Sequence, residues 1–309
     1  MCGLFGWQLD AGRIAESERI ALACALVAMN DERGGDAWGY WVPDHEIDPV
    51  RGLGTMRANV AAAQLAAFAT LCAHTRYATY GTAENVRNAH PFEHRDVIGA
   101  HNGAVWNADT LDLDYPMRDF DVDSQHLIAH IAESRPLAEL TGYGTVVYTA
   151  RRRPGRVYMG RFSGELAVAT LAGERGLAWS SDRAHLHAAL KLAGMRATML
   201  HVKERRWHFA DSGRLVNTGE KINVGEQVIP MRAATTKSAT DYADVYDNRT
   251  GKWTRTYRAW STSDNRELSS ALHDGFATLS ADGDDAGDND PWGEGARERD
   301  RDMPPGGEG

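Results

Sequence analysis

The chain opens Met1-Cys2-Gly3-Leu4-Phe5-Gly6. Cysteine is small enough for the initiator methionine to be removed, which would leave a thiol and a free α-amine on the same residue. An α-amine has a pKa of roughly 7.7–8.0, so a useful fraction is neutral at pH 7 and can take the thiol's proton, directly or through a water. Cys2 would then supply both nucleophile and base. Position 2 alone does not separate such a nucleophile from an ordinary terminal residue. The segments farther along the chain do.

A strand-like run ends in the polar loop Ala73-His74-Thr75-Arg76-Tyr77-Ala78-Thr79-Tyr80-Gly81. After it come Asn88-Ala89-His90-Pro91-Phe92, the apolar run Val97–Ala100, and His101-Asn102-Gly103. Upstream lies Arg33-Gly34-Gly35-Asp36-Ala37-Trp38-Gly39, and downstream Asp123 within Asp121-Val122-Asp123-Ser124. Taken with Cys2-Gly3, and in this order, these pieces resemble the glutaminase domain of class II, N-terminal-nucleophile (Ntn-type) glutamine amidotransferases, a family that includes glucosamine-6-phosphate synthase. Gly142-Tyr143-Gly144-Thr145 and Ser180-Ser181-Asp182 resemble the second half of that domain, so the likeness covers residues 2–231.

The resemblance implies a role for each group that glutamine presents. Arg76 matches the arginine that grips the α-carboxylate, where a planar fork gives bidentate geometry that Lys would not. Asp123 matches the carboxylate that binds the α-ammonium; the bland alternative is that Asp121 or Asp123 caps the following helix. Asn102 and Gly103 match the oxyanion hole, with a side-chain amide and a backbone N–H as donors. Thr79 and Gly81 would belong to the glutamine-binding loop. That loop departs from the family pattern, with Tyr77 where Trp is common and Tyr80 where His is common. Arg33 falls in a matching segment and is expected to support the site.

His74, His90, His94 and His101 crowd one region, but their spacings match none of the compact zinc patterns and no cysteine joins them. No metal and no cofactor is expected. His90 and His101 are expected to orient backbone and loop groups around the site, His74 to support it, and His94 to be exposed.

These residues must be positioned by a core. Strand candidates are Leu4–Leu9, Gly39–Val42, Leu71–Thr75, Val97–His101, Thr145–Ala150, Val157–Arg161, Leu166–Leu171, Gly176–Ser180, Ala197–Val202, Arg206–Ala210 and Leu215–Asn217. Helix candidates are Glu16–Asn30, Val60–Leu71, Ser124–Glu133 and Arg183–Leu192, the last capped by Asp182. The order is not strict βαβ repetition, and it suggests an α+β chain with strands in two sheets and helices outside. The resemblance implies more: a four-layer αββα sandwich of two mainly antiparallel sheets.

Residues 232–280 are rich in Thr, Ser, Asp and Arg, with one short helix expected over Glu267–Leu279. Residues 281–309 are dominated by Asp, Gly, Glu, Arg and Pro and read as a disordered acidic tail, because they cannot bury enough apolar area to offset ordering entropy.

A net charge of −9 argues against nucleic acid as the main partner, since a phosphate backbone requires clustered Lys and Arg. The basic run Arg151–Arg153 is expected to flank a solvated hairpin turn. No run of about 18 apolar residues and no leader pattern is present, so neither a membrane nor secretion is expected. Three cysteines are too few for a disulfide framework, and a reducing cytoplasm fits; Cys24 and Cys72 read as small core residues.

The expected activity is hydrolysis of L-glutamine to glutamate and ammonia through a Cys2 thioester, with ammonia passed to a separate synthetase or ligase. No phosphate loop and no synthase-sized segment follows residue 231. Two alternatives stand: an Ntn amidohydrolase acting on a γ-glutamyl compound with water as acceptor, and a non-catalytic binding protein on the same fold.

Overall fold

A computed structural model of the chain describes residues 2–43, 47–79, 81–114, 120–225, 244–247 and 252–255. Tyr80, the helix expected over Glu267–Leu279 and the acidic tail lie outside these described residues. The chain divides into two units, Met1–Thr235 and Thr236–Gly309.

The first unit holds two antiparallel sheets. One contains β1 (Gly3–Leu9), β2 (Ala37–Trp41), β3 (Val50–Leu53), β4 (Thr70–Arg76), β9 (Ala167–Leu171), β10 (Gly176–Ser180) and β11 (Ala197–Leu200), in the order β11-β9-β10-β1-β4-β2-β3. The other contains β5 (Phe92–His94), β6 (Val97–Val105), β7 (Gly142–Ala150), β8 (Val157–Arg161), β12 (Arg206–Asp211) and β13 (Arg214–Lys221), in the order β13-β12-β8-β7-β6-β5. Helices α1 (Glu16–Asp31) and α6 (Arg183–Leu192) pack on the first sheet, and α5 (Asp123–Glu133) packs on β5 and β6 of the second. The result is the αββα layering expected, with the two sheets face to face.

The strand period explains what sits between the layers. Leu4 of β1, Cys72 of β4, Trp41 of β2 and Trp179 of β10 join Ile98, Ala100, Val147 and Met159 of the opposite sheet in one buried cluster. The odd-numbered residues Val97 and Val105 of β6 join Leu127 and Ile128 of α5 in another. Two polar side chains stitch the sheets together: Trp41 Nε1 donates to Thr149 Oγ1 at 3.0 Å, and Gln8 donates to the Gly155 carbonyl and accepts from the Gly213 N–H, both at 2.8 Å. All of β1 is buried, as a strand covered on both faces must be.

Two expectations are corrected. The Ala-rich stretch Val60–Leu71 is not one helix. The helix α2 (Met56–Asn59) ends just before it, Val60 breaks the chain with φ −130°, and α3 (Ala62–Ala66) follows, before β4 begins at Thr70. The N-terminus of α2 is satisfied from a distance, by the Asp31 carboxylate accepting from Met56 N at 3.0 Å and Arg57 N at 2.8 Å. And β6 does not stop at His101 but runs to Val105, so Asn102 and Gly103 are strand residues.

The other helices form where expected. Asp182 caps α6, accepting from His185 N at 3.0 Å, and α4 (Ala108–Asp114) is an addition. The Asp211-Ser212-Gly213-Arg214 turn forms with positive φ at both central residues. Arg151 and Arg152 flank the β7–β8 turn and pair with Glu93 and Asp96. Among the described residues of the second unit, β14 (Asp244–Asp247) and β15 (Lys252–Arg255) form an antiparallel hairpin.

Candidate active site

Cys2 stands at the head of the strand flanked by β4 and β10, opposite the end of β4. Gly3 pairs with Thr75, and Arg76 is the next residue of β4. Gly3 has to be glycine: a Cβ there would come within 2.7 Å of Thr75 Oγ1 and the Asn30 side chain. Thr75 Oγ1 donates to the Asn30 carbonyl at 2.7 Å, tying the end of α1 beneath the nucleophile.

The Cys2 thiol meets the backbone of Tyr77, accepting from its N–H at 3.4 Å and lying 3.5 Å from its carbonyl. Burial pushes the thiol's pKa up, while the Tyr77 N–H, the chain's amino terminus, Arg76 and Arg33 pull the other way. Arg76 is buried, donates to the Thr82 carbonyl at 3.2 Å, and feels the charges of Cys2, Asp36 and Asp123. Burial lowers its pKa. A guanidinium kept this dry attracts an anion far more strongly than one in bulk water.

From the opposite sheet, β6 contributes on both faces. Its even residues face the nucleophile: Asn102 Nδ2 donates to the Cys2 carbonyl at 2.9 Å and to Ser181 Oγ at 2.8 Å. Its odd residues face α5: His101 meets Ser124 Oγ at 3.0 Å and the Tyr143 carbonyl at 3.1 Å. The N–H of Val105 donates to Asp123 Oδ2 at 2.6 Å, away from β7, whereas Trp106 N donates toward β7 at Thr141. By the alternation of an antiparallel strand, Gly103 presents its N–H on the same side as Val105. Since β5 pairs with β6 only as far as Gly99, that side is an open edge among the described strands. A Cβ on Gly103 would fall on the Tyr143 carbonyl oxygen.

The expected site residues therefore divide. Cys2, Arg76, Asn102, Gly103, Asp123, His74 and His101 gather around the strand ends. Asp123 is the first residue of α5, and Val122 precedes the helix as its cap, so the Asp123 carboxylate serves β6 rather than capping α5. Tyr77 reaches the thiol through its backbone; its side chain is 53% exposed. Thr79 is exposed, and Gly81 sits at φ +70° against Asn88 and Asp121. Arg33 forms a buried pair with Asp182 at 2.7 Å and donates to the Ser181 carbonyl at 3.3 Å, pinning the N-terminus of α6.

His90 stacks on His74 with ring centroids 4.1 Å apart and on Phe92 at 4.4 Å. Contrary to expectation it orients no polar group: neither ring nitrogen meets a hydrogen-bond partner among the described residues. Burial depresses the pKa of His74 to about 3, of His90 well below the usual imidazole value, and of His101 below it. Neutral imidazoles are potential metal ligands, but among the described residues no group of His, Cys, Asp and Glu is arranged to hold an ion. His94 is half-buried, bonded to Glu133 at 2.8 Å, rather than exposed.

Two contributors were not assigned from sequence. Ser181 Oγ accepts from Leu4 N at 3.0 Å as well as from Asn102, joining β1 to β6. Asp36 accepts from Ala78 N at 2.8 Å and donates its own N–H to the Arg76 carbonyl at 3.1 Å, fixing the chain where it leaves β4. Both lie in segments that carry the resemblance, but their work is to hold backbone groups far away in sequence, which spacing does not reveal.

No family model matches the chain. Among curated proteins it is similar to glutamine--fructose-6-phosphate aminotransferase [isomerizing] of Aliivibrio fischeri, 30% identical over 199 residues, covering 58% of this chain and 31% of the relative. The same enzyme of Vibrio vulnificus is 29% identical with the same coverage. The chain thus spans about a third of the length of these relatives. Among solved structures, the glutamine phosphoribosylpyrophosphate amidotransferase of B. subtilis superposes with a TM-score of 0.50 at 20% identity, covering 72% of this chain and 49% of that one. An allosteric regulatory enzyme of purine biosynthesis gives 0.50 at 18%, covering 73% and 50%. Among the described residues, no helix is long and apolar enough to cross a membrane. The sequence likeness over 199 residues, the shared fold and the strand-end cysteine agree with the resemblance to class II, N-terminal-nucleophile glutamine amidotransferases.

Proposed function

We propose that the chain hydrolyses L-glutamine to glutamate and ammonia in the cytoplasm, with Cys2 as nucleophile, and hands the ammonia to a separate synthetase or ligase. The observation that carries this reading is the convergence on Cys2 of three chain segments: the Tyr77 N–H at its thiol, the charge of the buried Arg76, and the Asn102 amide from the facing sheet at its carbonyl.

Removal of Met1 frees the Cys2 α-amine, which takes the thiol proton as sulfur attacks the side-chain amide carbon. Negative charge moves to the amide oxygen and is met by the Gly103 N–H and the Asn102 amide. The C–N bond breaks, the amine proton goes to the departing nitrogen, and ammonia leaves behind a glutamyl thioester. Water then attacks that carbonyl and glutamate is released. Arg76 holds the α-carboxylate and Asp123 the α-ammonium, while Tyr77, Thr79 and Gly81 of the loop after β4 face the bound amino acid. Burial raises the pKa of the Cys2 thiol, which leaves a proton for the α-amine to take as the bond forms.

The full-length relatives are aminotransferases and amidotransferases, which favours ammonia transfer over simple hydrolysis of a γ-glutamyl compound. The test is reconstitution with the acceptor enzyme. Glutamine-dependent amidation should vanish in Cys2→Ala while free ammonia still supports the reaction; glutamine-dependent amidation that survives the substitution overturns the proposal.

A further inference from the structure

We infer that His101 is a positioning residue for substrate recognition: it draws the Ser124 hydroxyl proton away from Asp123 and leaves Asp123 Oδ1 open to the α-ammonium of glutamine. The inference rests on the glutamine reading above.

His101 Nε2 lies 3.1 Å from the Tyr143 carbonyl oxygen, which can only accept, so Nε2 carries the ring proton. Burial keeps the ring neutral. His101 Nδ1 is therefore an acceptor, and its partner at 3.0 Å is Ser124 Oγ. A serine hydroxyl has one proton to give. The competing acceptor, Asp123 Oδ1, is 3.5 Å from the same Oγ, so the proton goes to the histidine.

Asp123 Oδ2 is already engaged by the Val105 N–H at 2.6 Å. Oδ1 is thus the oxygen available to a substrate, and a Ser124 hydroxyl aimed at it would take up one of its acceptor sites and draw on its charge. The ring is wedged in place, since a Cβ on Gly103 or Gly144 would come within 2.6 Å of His101 Nε2. His101 therefore links Asn102 and Gly103, its neighbours on β6, to the carboxylate at the head of α5.

Substitutions separate this role from simple packing. His101→Gln keeps a donor for the Tyr143 carbonyl but removes the acceptor facing Ser124. His101→Asn keeps an acceptor near the Nδ1 position. Kinetics with glutamine are compared with those of glutaramate, the analogue lacking the α-amino group, and binding of glutamate with that of glutarate by calorimetry.

The expected result is a KM for glutamine raised on the order of tenfold in His101→Gln, with kcat changed less and glutaramate kinetics unchanged. His101→Asn should stay near wild type. Adding Ser124→Ala to His101→Gln should restore the KM, because the misdirected donor is gone. A double variant no better than His101→Gln, or equal losses with glutamine and glutaramate, overturns the inference while leaving the glutamine reading intact. A wild-type protein that neither releases ammonia from glutamine nor prefers glutamate to glutarate overturns both.

Discussion

Asn102 holds Cys2 by its carbonyl: the amide nitrogen lies 2.9 Å from the Cys2 oxygen, and its second hydrogen is given to Ser181 Oγ at 2.8 Å. Both donors of Nδ2 are thus engaged before substrate arrives. To meet an oxyanion, Asn102 must exchange one of these bonds, and Ser181, which also accepts from Leu4 N, remains satisfied when it is released. Asn102→Ala should lower kcat on the order of 10²–10³-fold with a smaller change in KM, read from steady-state ammonia release. A loss confined to KM would mean that Asn102 only holds the nucleophile's backbone.

Arg76 offers a planar fork from a buried site. Arg76→Lys keeps the charge but loses the bidentate geometry, so KM for glutamine should rise about 10- to 100-fold, with kcat affected less. Glutaminamide, which lacks the α-carboxylate, should discriminate poorly between the two proteins.

The neutral histidines make the fold sensitive to acid. Burial holds the His74 pKa at about 3 and lowers those of His90 and His101, whereas in the unfolded chain each ring takes a proton below about pH 6.5. Between those values the unfolded state binds more protons, so this stability is fully present above the unfolded pKa and is lost as pH falls toward the folded one. Each ring that stays neutral adds a slope of about 1.4 kcal/mol per pH unit. Urea titrations at pH 7, 6 and 5 should show stability decreasing toward acid, and His90→Leu should reduce the slope by one ring.

The pair of Arg33 and Asp182 is the brace between the C-terminus of α1 and the N-terminus of α6, with side chains only 12% and 9% exposed. Arg33→Ala leaves a buried carboxylate without its partner and should destabilise the domain by about 3–5 kcal/mol in denaturant titration. Part of any activity loss should be recovered at lower temperature, because the brace acts on the position of Ser181 rather than on the chemistry.

How much of the fold the sequence discloses depends on how local each signal is. The helix expected over Glu16–Asn30 is visible as an apolar run, and the helix after Asp182 as an apolar run with a start signal. Val60–Leu71 reads as one helix because alanine favours that state, yet the chain breaks at Val60 and enters β4 at Thr70. Tertiary pairing with β1 and β2 outweighs propensity there. The strand expected to end at His101 continues through Asn102 and Gly103, because Gly144 across from Gly103 also lacks a side chain and the two strands close tightly. The short strands β3 and β5 escape notice because Val50–Leu53 and Phe92–His94 carry almost no alternation of their own. At the site, residues that would touch substrate were readable as motifs. Ser181 and Asp36, which touch only distant backbone, were not.

The most direct test is ammonia release by the purified chain, measured alongside its N-terminal mass. The expected result is a protein lacking Met1 that converts glutamine to equal amounts of glutamate and ammonia, with a glutamyl adduct on Cys2 trapped by acid quench and no turnover in Cys2→Ala. A chain that keeps Met1 and is nonetheless fully active, or a processed chain that releases no ammonia from glutamine, would contradict the assignment of Cys2 as an N-terminal nucleophile.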